Sequence, residues 1–141
     1  MAGKKALLEH LKNVPLFSSC TNKDLEKIAK ASDEMTMPAG QVLVDQGQTG
    51  REAFVIMSGS ATVKRNGKKV ATLGPGAVVG ELSLLDHGPR TATVVCDVET
   101  TVLVIDQRHF LGVIDEVPAL AHKLLASLAG RIRDFDRKYY G

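Results

Sequence analysis

Val79-Gly80-Glu81-Leu82-Ser83-Leu84-Leu85-Asp86-His87-Gly88-Pro89-Arg90-Thr91-Ala92-Thr93 is the stretch on which the reading of this chain turns. A glycine precedes an acidic residue and a short apolar turn over residues 82–85. A Gly-Pro break follows, then Arg90, then a β-rich run. The turn that opens after Gly80 leaves backbone N–H groups without intrahelical partners, and such groups favour an anion. Gly80 has no Cβ, so the backbone can come close to a ligand there. Arg90 offers a planar fork of donors suited to phosphate oxygens. Glu81 would repel a bare anion, so it must serve another group. A ribose 2′-hydroxyl fits, since an acidic residue does that work in dinucleotide sites. The residues therefore fit a phosphate and a sugar hydroxyl held close together. The plainer alternative is a surface turn closed by a Glu81–Arg90 salt bridge, which is common and weak.

Outward from this stretch the chain divides into helix, strands and helix. Leu7, Leu8 and Leu11 form a short helical stripe that stops before Pro15. Thr21 is the expected N-cap of a second helix, with Asp24 as the acidic half of the pair, and Leu25, Ile28 and Ala29 give its apolar face. Residues 35–38 break that pattern. From Gln41 the period becomes two. The β-rich runs are Val42-Leu43-Val44, Phe54-Val55-Ile56-Met57, Ala61-Thr62-Val63, Val70-Ala71-Thr72-Leu73, Ala92-Thr93-Val94-Val95 and Thr101-Val102-Leu103-Val104-Ile105. Asn66-Gly67 marks a tight hairpin between two of them. Many short strands with regular turns predict a sandwich or barrel rather than a βαβ sheet. Asp106 is placed to cap a helix carrying Phe110, Val113 and Ile114, and Pro118 suits the first turn of a longer one. On that last helix Ala121, Leu125, Leu128, Ile132, Phe135 and Tyr139 form a seam able to cover the barrel or meet a second copy.

The 141 residues suit one domain, 44% of them are hydrophobic, and the formal net charge is +2. That charge, with no dense Lys/Arg run, argues against nucleic acid or an anionic membrane as a partner. No apolar run reaches membrane-spanning length, and Glu9 and His10 interrupt the N-terminal apolar stretch too early for a leader. Cys20 and Cys96 have no metal-binding spacing. A disulfide between them is one reading, and reduced thiols in the cytoplasm are the expectation. The histidines (His10, His87, His109 and His122) are scattered, with no H-x-H or H-E-x-x-H spacing, and Ser83 does not sit in a G-x-S-x-G elbow. Neither a metal nor an enzymatic activity is expected.

The stretch resembles the phosphate-binding cassette of the cyclic-nucleotide-binding domain family, which includes the bacterial cAMP receptor protein and the regulatory subunits of cyclic-nucleotide-dependent kinases. The family pattern runs roughly F-G-E-L/I-A/S-L, then R-x/T-A-T/S-V. This chain has Val79-Gly80-Glu81-Leu82-Ser83-Leu84, then Arg90-Thr91-Ala92-Thr93-Val94, and departs only at Val79, where an aromatic is usual. Gly40-Gln41-Val42-Leu43, Gln46-Gly47, Phe54-Val55-Ile56 and Ser58-Gly59 are similar to the family's glycine-spaced β-roll, and Val14-Pro15-Leu16-Phe17 to its helical lead-in.

The resemblance implies a mainly β fold with flanking helices: an antiparallel β-roll of the jelly-roll type with N-terminal helices and a C-terminal lid helix. It would be one domain over residues 1–141, divided into a helical lead-in (1–34), the roll with its cassette (35–106) and C-terminal helices (107–141). It implies a ligand, cAMP before cGMP, and no other cofactor. Arg90 would bind the exocyclic phosphate oxygens and Glu81 the ribose 2′-hydroxyl. Backbone groups of Gly80, Leu82 and Ser83 would complete the cradle, and the Thr91 hydroxyl would reach the phosphate or the purine edge. Val70 and Leu73 would wall the base. Phe135 and Asp136 would form the lid, or else be seam and solvated charge. The implied role is a ligand-sensing module that moves its C-terminal helix, with a homodimer through that helix or an unidentified effector protein as partner. Two alternatives stand beside it. One is a β-roll interaction module that has lost its ligand. The other is the sensor part of a cAMP-receptor-type transcription regulator, which needs a helix-turn-helix after the long helix.

Overall fold

The structure is a computed structural model and describes the backbone of residues 4–140 and the side chains of residues 5–137. The start of the N-terminal stretch read as unfit for a leader, and the Tyr139 side chain at the end of the seam, lie outside these described residues.

Helix α1 (Lys4–Lys12) leads into a single 3-10 turn (Pro15–Phe17) and helix α2 (Asn22–Lys30). Thr21 caps α2 as its sequence predicts. Its hydroxyl accepts from the Asp24 N–H at 3.1 Å, while the Asp24 carboxylate accepts from the Thr21 N–H at 3.0 Å. Eight strands follow: β1 (Asp33–Met37), β2 (Val42–Val44), β3 (Glu52–Ser58), β4 (Ala61–Arg65), β5 (Lys68–Leu73), β6 (Val78–Val79), β7 (Thr93–Cys96) and β8 (Thr100–Asp106). Helix α3 (Glu81–Asp86) interrupts them after β6. Helices α4 (Gln107–Glu116) and α5 (Pro118–Tyr140) close the chain.

The strands form two four-stranded antiparallel sheets, β1-β8-β3-β6 and β2-β7-β4-β5. This is the β-roll with flanking helices that the sequence predicts. Asn66 and Gly67 both take positive φ, 54° and 79°, in the β4–β5 hairpin.

Strands β3 and β8 are buried on both faces, which explains why their sequences are continuous apolar runs rather than alternating ones. Phe54, Ile56, Val102 and Val104 point between the sheets and meet Leu43, Val44, Ala61, Val79 and Val94. Ala53, Val55, Leu103 and Ile105 point the other way, against Leu11, Leu25, Ile28, Phe110, Val117 and Leu120 of the helices. Two strands thus join the roll interior to the helix layer.

Two strands escaped the sequence reading. The segment Asp33–Met37 is not a pattern break but β1, an edge strand paired to β8, and it is exposed along nearly all its length. Only Met37 is even partly buried, so the alternation of Met35 and Met37 marks no core-facing side. Strand β6 has only two residues.

Asp106 caps α4, accepting from the His109 N–H at 2.8 Å, and its carboxylate also lies 2.8 Å from the His109 ring. These hydrogen bonds hold its pKa below the ordinary carboxylate value. A lowered folded-state pKa contributes stability above the unfolded-state value and loses it as pH falls through the folded one. Asp106→Ala should therefore cost about 1 kcal/mol near neutral pH. In urea melts at a series of pH values, the gap to the parent should narrow on acidification.

Candidate functional site

The cassette is built around a turn that only a glycine takes without strain. Gly80 has φ +84° and forms the N-cap of α3, immediately after β6. A Cβ there would run into the Arg90 guanidinium. Gly50, in the loop before β3, approaches from another side, and a Cβ on it would come within 2.5 Å of Arg90 Cζ. Two glycines thus leave the space that one guanidinium fills.

Arg90 is only 8% exposed. Its Nη1 donates to the Gly80 carbonyl at 2.8 Å, and Nη2 donates to the Glu52 carbonyl. Its backbone is fixed as well: its N–H donates to Gln48 O at 2.8 Å and its carbonyl accepts from Gly47 N at 2.9 Å. Burial pushes the guanidinium below its ordinary pKa, while Glu52 and Glu81 pull it back. It stays charged at any physiological pH. Two of its five N–H groups are committed to carbonyls, which leaves three for a ligand.

Glu81 opens α3 and is also buried, at 7% exposure. Its partner is not Arg90, as the plainer reading of the sequence had it, but Arg131 of α5, whose Nη2 donates to Glu81 Oε1 at 3.3 Å. Sequence reasoning missed Arg131. The signal was nonetheless present: Leu120 and Leu124 form the buried stripe of α5, with Val117 just before the helix, and at helical spacing that stripe continues to residue 131.

Glu81 and Arg90 line one cleft of about 530 Å³, together with Gly80, Leu82, Ser83 and Thr91 of the cassette. That volume is ordinary for a small-molecule site. The apolar floor comes from Val44, Val63, Leu73, Val78, Val79 and Val94, and Arg65 and Arg131 complete the rim. Val79 faces Phe54 in the β3–β6 register, so the aromatic bulk behind the cassette comes from the neighbouring strand. The far end of α3 is tied to α4: Gln107 Nε2 donates to Leu84 O at 3.0 Å and lies 2.7 Å from His87 Nδ1. A second cleft of about 510 Å³ lies between α5 and the lead-in, and shares Val78, Glu81 and Arg131 with the first. The Glu81–Arg131 pair therefore sits between the two.

Some predicted positions fall elsewhere. Leu73 lines the cleft, but Val70 does not and is 52% exposed. The β4–β5 register pairs Val63 with Ala71 and Lys64 with Lys69, so Val70 is the extra residue of a bulge and is turned away from the floor. Phe135 and Asp136 do not line the cleft either. Phe135 shares the helix face of Leu124 and Arg131 but lies about 6 Å beyond Arg131 along the axis, and it is 55% exposed. Of the seam, Leu125 and Ile132 are 64% and 62% exposed and face outward rather than over the barrel.

Among the described residues no group of His, Cys, Asp and Glu is placed to hold a metal ion, and no helix is long and apolar enough to cross a membrane. Cys20 and Cys96 are free thiols, and burial raises the pKa of both.

The profile of the cyclic nucleotide-binding domain matches residues 34–117, more than half the chain. The cyclic AMP receptor protein of Thermus thermophilus is 31% identical over 131 residues, covering 89% of this chain and 61% of that protein. A cAMP-dependent protein kinase regulatory subunit of Mycosarcoma maydis is 31% identical over 148 residues, covering 98% of this chain and 26% of its own length. The chain thus spans about three fifths of one relative and a quarter of the other. The crystal structure of the Thermus thermophilus catabolite activator protein superposes with a TM-score of 0.82 at 32% identity, over 88% of this chain and 61% of that one. With its β-roll, its cassette glycine and its buried Glu81 and Arg90, the chain belongs to the cyclic nucleotide-binding domain family.

Proposed function

We propose that this chain binds a 3′,5′-cyclic purine nucleotide in the cassette cleft, cAMP before cGMP, and acts as a cytoplasmic ligand-sensing module through its C-terminal helices. One observation carries the reading: Glu81 and Arg90 are buried and line the same cleft, above an apolar floor. The uncommitted N–H groups of Arg90, with the backbone of Gly80, Leu82 and Ser83, would hold the cyclic phosphate. The Glu81 carboxylate would accept from the ribose 2′-hydroxyl. Thr91 would offer its hydroxyl nearby, and the floor would take the base. The names of the relatives favour adenine, and the two free thiols suit a reducing compartment.

The sensing step follows from what is attached to the cassette. Its Glu81 end holds Arg131 of α5, and its far end holds Gln107 of α4. A ribose hydroxyl on Glu81 changes what Arg131 can bind, and tightening of α3 pulls on α4. The helices would close over the cleft, carrying Phe135 and Asp136 toward the base as a lid. A ligand shifts this balance only by its differential affinity for the two states. The outward seam of α5 would serve a second copy or an effector. A second reading, the sensor segment of a longer transcription regulator, is favoured by the extra length of the Thermus relative.

Three measurements test these statements. In calorimetric titrations Arg90→Ala should lose roughly 2–5 kcal/mol of binding, about 30-fold to several thousand-fold in affinity. Arg90→Lys, which keeps the charge without the fork, should fall between variant and parent. Glu81→Ala should cost roughly 1.5–3 kcal/mol and bind a 2′-deoxy analogue about as well as the parent ligand. Saturating ligand should slow hydrogen exchange in α4 and α5, and unchanged exchange would leave a binder without a switch. Ile132→Glu should shift sedimentation toward monomer if the seam joins two copies. No heat with either nucleotide would leave the ligand-free interaction module.

A further inference from the structure

We propose that Arg65 tunes base specificity, reading the hydrogen-bonding edge of the purine and narrowing the preference for adenine by raising the affinity for guanine. The inference rests on the cyclic-nucleotide binding proposed above.

Arg65 is the last residue of β4 and falls on the face of Val63, the floor of the cleft, with Lys64 on the opposite face. It lines the cleft on the rim, beside Thr91 of the cassette. Its Nε donates to the Thr91 carbonyl at 3.2 Å, which ties the hairpin to the residue after Arg90. The hairpin tip is held independently. The Gln46 side chain donates to Asn66 Oδ1 and accepts from the Asn66 N–H, both at 2.9 Å. Arg65 is therefore a positioned donor rather than a loose surface cation. With Nε committed, its two Nη groups remain available to a ligand.

Charge balance indicates what they face. Glu81 is matched by Arg131. A cyclic phosphodiester carries one negative charge, which Arg90 answers. Among the described residues of the rim, Arg65 is then a cation for which no ion pair is found in the cleft. The part of the ligand still without polar partners is the neutral edge of the base. An arginine has donors only. Guanine presents two acceptors side by side, O6 and N7, and takes a guanidinium in bidentate fashion. Adenine presents N7 beside an N6 amine, so a donor would meet a donor. Sequence reading passed over Arg65 because an arginine next to an Asn-Gly turn looks like ordinary solvated surface.

The test is calorimetric titration of the parent, Arg65→Leu and Arg65→Lys with cAMP, cGMP and cIMP, each variant checked for folding by circular dichroism. In Arg65→Leu the affinity for cGMP relative to cAMP should drop by about 5- to 150-fold, with cAMP binding close to the parent's. The nucleotide cIMP keeps O6 and N7 and lacks the 2-amine, so it should follow cGMP. Arg65→Lys should not restore the discrimination, since an ammonium lacks the fork. Equal losses for all three nucleotides would assign Arg65 to the phosphate and overturn the proposal, as would an unchanged ratio. If the parent bound none of the three, the proposed function itself would fail, an outcome distinct from a parent that binds with an indifferent Arg65.

Discussion

A guanidinium taken out of water needs acceptors on several sides, and the architecture around Arg90 answers that need. The Gly80 carbonyl comes from the turn between β6 and α3, and the Glu52 carbonyl from the start of β3. The backbone of residues 47–48 hydrogen-bonds along Arg90 itself. Segments that lie far apart in sequence are drawn to one side chain. Burying a charge without such partners would be expensive, so the packing of the cassette depends on these carbonyls. Arg90 is a strut that ties these segments together.

Much of this was legible in the sequence, for local reasons. The Thr21 and Asp106 caps, the Asn66-Gly67 turn and the glycine before Glu81 each encode their geometry within a few residues, and the sequence read them correctly. The cassette residues converge because they sit within one short stretch. What could not be read depends on distant partners. Arg131 lies fifty positions from Glu81. The displacement of Val70 comes from a register shift that no local propensity announces. The outward direction of Leu125 and Ile132 follows from which of two adjacent stripes on α5 packs on the roll. Val117, Leu120 and Leu124 win that contest because they meet the face that Val55 and Leu103 offer. Strand β1 stayed hidden because a five-residue exposed edge offers too short a pattern to read.

The connections of the cassette are lopsided in kind. At its glycine end it holds a long charged side chain, Arg131, which is half exposed and can let go at little cost. At its other end it holds a neutral amide contact to the main chain of Leu84. The first is the more responsive to a competing polar group, the second the more faithful transmitter of a small displacement. The two contacts sit at opposite ends of a six-residue helix.

The open rim of the roll has a bearing on how copies can meet. Strand β5 is one of the two edges of its sheet, the other being β2. It carries Lys68 and Lys69 and the bulge at Val70. Like charges and a kinked strand both discourage another chain from adding a strand there. Fibre-like stacking, roll upon roll, is thereby closed off along that side, and the apolar residues of α5 remain the surface better suited to company.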